Sequence, residues 1–120
     1  RGISPFFGAY LNTVLWQVNG LSSYIQSTTP LSNFFGKWTH FLVTYDKNAS
    51  SNNFRIYING KLDKQATATG TPTTAAADIL MGKYSNLYTT GQIDDVRIYN
   101  YALTPAQVKT LYNGGAVSFN

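Results

Sequence analysis

The sequence predicts an all-β fold, a sandwich of antiparallel strands closed by one short C-terminal helix. Three observations predict it. Short segments alternate apolar and polar residues with the period of a half-buried strand. Asn-Gly dipeptides at 19–20 and 59–60 lie between such segments, where the positive φ they tolerate closes a hairpin. One helix signature is present, and it follows the strands instead of alternating with them, which argues against a parallel α/β sheet.

Residues 9–18 (AYLNTVLWQV) and 22–26 (SSYIQ) read as two arms of a hairpin across Asn19-Gly20. The clearest strand is 37–46 (KWTHFLVTYD), with Thr39, Phe41, Val43 and Tyr45 on one face and Trp38, His40, Leu42 and Thr44 on the other. A polar loop follows at 47–53. Residues 54–58 (FRIYI) then run through Asn59-Gly60 into 61–65, a second hairpin. Residues 66–77 contain Gly70 and Pro72 and little bulk, and read as a long connection or a weak edge strand. The last strands are 78–83 and 91–99, joined by the loop 84–90. The helix is written at 105–112: Thr104 as N-cap, Pro105 at the first helical position, Gln107 completing a capping box, Leu103 stapled to Val108, and Gly114 as C-cap.

The totals narrow the function. A chain of 120 residues suits one domain, and 43% hydrophobic with 12% charged residues describes a globular protein. No apolar run approaches the roughly 20 residues of a membrane-spanning helix, so membrane insertion is not expected. The net charge is +4, but the nine Lys and Arg are scattered singly, without the clustered stripe of a nucleic-acid-binding surface. Cysteine is absent, which excludes a disulfide scaffold. The opening residues carry no signal-peptide pattern, so an export signal is expected upstream if the protein is secreted.

Catalysis is not expected. Glycoside hydrolysis needs two carboxylates roughly 5 to 9.5 Å apart facing one sugar. The chain has no Glu, and its adjacent acids Asp94 and Asp95 point to opposite faces of a strand. His40 is the sole histidine, too few for a nucleophile triad or a two-His metal site. Asn48-Ala49-Ser50 fits the N-glycosylation pattern in an exposed loop. Trp16, Trp38, Tyr24, Tyr84, Tyr88 and Tyr99 are the aromatic candidates for stacking on sugar rings. Trp38 is expected in the core. Tyr84 and Tyr88, with Asn86 between them, are the best placed for a ligand, and Trp16 is the further ligand-binding candidate.

The run WTHFLVTYDKNASSNNFRIYINGKL, then ILMGKY, then GQIDDVRIYNYALTPAQVKTLYNGG closely resembles the C-terminal two thirds of laminin-G-like domains of the concanavalin A-like superfamily, over roughly residues 37–115. The resemblance implies an antiparallel jelly-roll β-sandwich. It also implies a longer front: residues 1–120 are expected to be a single such domain lacking its N-terminal strands, part of a larger protein, with neighbouring subunits or domains able to supply those strands. Calcium is implied as a cofactor, with Asp94 as ligand, Asp95 beside it, and backbone carbonyls and water completing six to eight oxygens. The functional expectation is a non-catalytic extracellular or cell-surface binding module whose partner is a glycan, for carbohydrate recognition or adhesion. The alternative is a structural or assembly domain of a surface filament, fibre or phage particle that contacts protein.

Overall fold

The computed structural model describes residues 6–18, 20–22, 24–72, 80–81, 83–84, 87–88 and 91–118. Strands β1 (Phe6–Tyr10), β2 (Thr13–Gln17) and β3 (Tyr24–Gln26) form an antiparallel meander, and β7 (Leu80–Met81) joins β1 in parallel, giving the order β3-β2-β1-β7. A second sheet contains β4 (Phe41–Tyr45), β5 (Phe54–Ile58) and β6 (Lys61–Ala66) in antiparallel order. Strands β8 (Lys83–Tyr84) and β9 (Leu87–Tyr88) make a small separate pair, and helix α1 spans Pro105–Ser118.

Alternation along the strands builds the core. Phe54, Ile56 and Ile58 of β5 meet Val14 of β2, Ile25 of β3 and Ala68 in one buried cluster, with Phe41, Val43 and Tyr45 of β4 packed against it. Burying a side chain such as Phe54 or Ile56 is worth roughly 1.5–3 kcal/mol, and both are 0% exposed. The opposite face of the second sheet is also covered: Tyr57 and Leu42 pack against Leu103, Val108 and Leu111 at the start of α1. Residue 57 thus faces the helix while 56 and 58 face the other sheet, as a period of two requires.

Polar clamps tie the layers. The Asp63 carboxylate of β6 accepts from the backbone N–H of Thr28 and of Thr29 and from the Thr29 hydroxyl, joining the second sheet to the segment leaving β3. Leu21 and Gly70 form an isolated bridge. Gly70 is required there: its φ is +107, and a Cβ would lie 2.5 Å from the Gly20 carbonyl oxygen.

The Asn59-Gly60 hairpin forms as expected, with φ of +50 and +79, the pattern of a type I′ turn. The capping box also forms. Gln107 Oε1 accepts from Thr104 N–H at 2.9 Å, and Thr104 Oγ1 accepts from Gln107 N–H at 3.2 Å.

Five expectations are corrected. Residues 9–18 are not one strand: Leu11 and Asn12 have φ of +49 and +62 and fold β1 back on β2 in a two-residue hairpin. β4 begins at Phe41 instead of residue 37, which leaves Trp38 outside the strand and 70% exposed instead of in the core. β7 pairs with β1 in parallel, so the sheets are mainly but not wholly antiparallel. The helix continues to Ser118, past Gly114, because glycine permits a helix stop without imposing one.

The largest correction is at 91–99. These residues are exposed and form no strand, and Asp95 has a φ of +56. A strand is held by ladder hydrogen bonds from a neighbour, and among the described residues no backbone hydrogen bond joins 92–99 to another segment. The alternating pattern is present in the sequence, but no partner strand lies beside it among the described residues.

Candidate functional site

The chain passes from this exposed segment through Tyr99, Asn100 and Tyr101 into α1. Leu103, 9% exposed, and Val108, 0% exposed, anchor that entry on Tyr57. The capping box fixes the first turn of the helix, so the side chains beside the anchors are held at a defined distance from the incoming chain. The result is a cleft of about 230 Å³ lined by Tyr99, Tyr101, Leu103, Ala106, Gln107, Thr110 and Leu111. Ala106 and Thr110, like Gln107 and Leu111, are four residues apart and so share one side of α1.

Tyr99 and Tyr101 form one wall. Their rings meet edge to face, with centroids 5.9 Å apart and planes at 77°. They stay 39% and 57% exposed, so flat aromatic surface remains open to a ligand. Gln107 spends its Oε1 on the helix cap, which leaves its amide nitrogen as the donor this residue can offer.

At the rim, Arg97 reaches the Tyr99 side chain and the Asp95 carboxylate, with Nε 3.2 Å from Asp95 Oδ1, and both contacts push its ionisation further up. His40 stands behind this pair. Its ring lies 5.8 Å from that of Tyr112 of α1, and burial pushes its ionisation down, opposed by Asp95 and reinforced by Arg97. The His40 backbone is locked to the Asn59-Gly60 turn, accepting from Asn59 N–H and donating to Asn59 Oδ1. Its Nδ1 is buried without a hydrogen-bond partner among the described residues.

The residues singled out in the sequence are dispersed. Trp16, in β2, packs on the core with its ring 6.2 Å from Phe54, a position set by packing. Tyr84 and Tyr88 lie in β8 and β9, and Asn86 lies outside the described residues. Trp38 and Phe35 are 70% and 74% exposed.

Asp94 and Asp95 are each engaged within their own segment. Asp94 Oδ1 accepts from Asp95 N–H, Asp95 holds Arg97, and no group of three or more His, Cys, Asp or Glu gathers among the described residues. Two engaged carboxylates supply only a fraction of the six to eight oxygens that calcium takes.

The arrangement so far defines a class: a β-sandwich with an aromatic cleft beside its terminal helix. The family profile of the concanavalin A-like lectin/glucanases superfamily matches residues 6–109, and the chain belongs to that superfamily. The match starts at Phe6 and so carries the likeness well forward of residue 37. No curated protein sequence matches the chain. Among solved structures, an S-layer domain-containing protein from Clostridium thermocellum is similar, with a TM-score of 0.50 and 23% identity over 94% of this chain. The chain spans 63% of that crystallised polypeptide. At this identity the likeness concerns the fold.

Sequence reasoning named Tyr99 as an aromatic candidate but did not join it to Tyr101. The available signal was two Tyr spaced i, i+2 directly before a capping box, since a fixed helix entry turns such a pair into a wall.

Proposed function

We propose that this chain is a non-catalytic recognition module of an extracellular or cell-surface protein and that it holds carbohydrate in the Tyr99–Tyr101 cleft. The exposed edge-to-face pair carries the reading, because the C–H face of a sugar ring suits a flat π surface. Gln107 and Thr110 place an amide and a hydroxyl opposite the rings, the few polar groups by which an apolar pocket orients a ligand. The volume lies below the roughly 300–1,000 Å³ of pockets that enclose drug-sized molecules, which favours one terminal sugar unit over an oligosaccharide. The absence of Glu supports binding over hydrolysis.

A glycan array probed with the chain and with Tyr101→Ala tests this. Binding that Tyr101→Ala abolishes supports it; binding that survives the substitution refutes the cleft.

A second reading, a structural or assembly domain of a surface filament, fibre or phage particle, is favoured by the exposed apolar segment at 92–99. The S-layer name of the structural neighbour accords with it. Binding to no glycan together with a stable protein contact would select this reading.

A further inference from the structure

We propose that Asn48 is the acceptor of an N-linked glycan, carried on the loop between β4 and β5. Asn48-Ala49-Ser50 is the one Asn-x-Ser/Thr triplet in the 120 residues, and its middle residue is not proline. The structure presents the triplet to solvent: Asn48 lies in a turn, and both Asn48 and Ser50 are exposed. Asp46 holds the backbone of that turn. Its Oδ1 accepts from Asn48 N–H at 2.9 Å and its carbonyl accepts from Ala49 N–H at 3.2 Å.

Comparison with three other asparagines separates Asn48 from a structural amide. Asn12 Oδ1 accepts from Ser32 N–H, Asn59 Oδ1 accepts from His40 N–H, and Asn53 clamps the buried backbone of Ala68. Each of these amides is spent on the fold. Among the described residues no hydrogen bond engages the Asn48 side-chain amide or the Ser50 hydroxyl, the two groups that transfer requires. The base of the loop is closed without them, because Asp46 N–H donates to the Asn53 carbonyl and Asn52 N–H donates to Thr67 Oγ1. A bulky, solubilising group at Asn48 therefore stays in water and disturbs no buried contact. The loop also lies at the opposite end of β5 from the Asn59-Gly60 turn on which Tyr112 of α1 packs, and none of residues 47–53 lines the cleft.

In transfer, Asn48 Nδ2 bonds to the anomeric carbon of an oligosaccharide carried on a polyprenyl diphosphate. The bond from that carbon to the phosphate oxygen breaks, the diphosphate leaves with the electron pair, and one amide proton passes to a base of the transferase. The chain expressed behind a signal peptide in eukaryotic cells, recovered from cells and medium together, tests the proposal. The expected result is a fraction with added mass that an amide-cleaving glycosidase removes, leaving Asp at position 48 in the peptide mass spectrum. Asn48→Gln and Ser50→Ala should each abolish the added mass, and Ser50→Thr should keep it. Made without glycan, Asn48→Gln should melt at the temperature of the parent chain, since the amide it alters holds nothing. Unmodified mass throughout, added mass that survives Asn48→Gln, or a melting temperature lowered by that substitution would each overturn the proposal.

Discussion

The side-chain amide of Asn53 forms two hydrogen bonds with the backbone of Ala68, Nδ2 donating to the carbonyl and Oδ1 accepting from the N–H, each at 2.9 Å. Both residues are buried, so this amide stands in for a neighbouring strand just beyond the β5–β6 pairing. Asn53→Ala leaves a buried N–H and C=O without partners, at a cost of about 1–3 kcal/mol. Urea denaturation should show that loss with an unchanged slope; an unchanged midpoint would contradict the clamp.

The Asn59-Gly60 turn is constrained twice. Gly60 has a φ of +79, and a Cβ there would lie 2.9 Å from Tyr112 Cδ2 on α1. Gly36 has a similar φ of +77 with nothing within 4 Å. Gly60→Val should therefore lower the melting temperature further than Gly36→Val, by several degrees at about 4 °C per kcal/mol. Equal effects would mean that the Tyr112 contact is absent.

Burial lowers the His40 pKa from its ordinary value of 6.5 in the folded chain. Above that value the ring is neutral folded or unfolded, and His40 contributes no pH dependence. Below it the unfolded chain takes up the proton first, so the unfolded state is favoured as pH falls from 6.5 through the folded pKa. Stability should fall over that window, and His40→Phe should flatten the profile there. An equal slope in the variant would sink the assignment.

Calcium removal should leave the molecule unchanged. Asp94 and Asp95 are engaged by a backbone amide and by Arg97. Adding a chelator or millimolar calcium is thus expected to leave the melting temperature where it was. A rise with calcium would show that carbonyls complete a shell around these acids.

Local chemistry made much of this fold legible. Asn59-Gly60 and the Thr104–Gln107 box act within a few residues, and both formed as written. The Leu11-Asn12 turn was hidden because leucine is a poor residue for positive φ, and what holds it there is distant: the pairing of β1 with β2 and hydrogen bonds to Asn12 from the backbone N–H of Leu31 and Ser32. Residues 91–99 read as a strand because side-chain alternation is local, whereas the ladder that makes a strand belongs to a neighbour. The Asp63 clamp on Thr28 and Thr29 joins residues more than 30 apart, and no spacing announces it. The cleft was half visible: Tyr99 as an exposed aromatic, without the helix face it opposes.

The most direct measurement is a titration of the chain with the strongest ligand from a glycan array, repeated with Tyr99→Ala and Tyr101→Ala. Saturable binding in the parent chain, lost in both variants while their circular dichroism spectra stay unchanged, is the predicted result. Saturable binding that neither substitution alters would contradict the claim that these two rings form the sugar-holding wall.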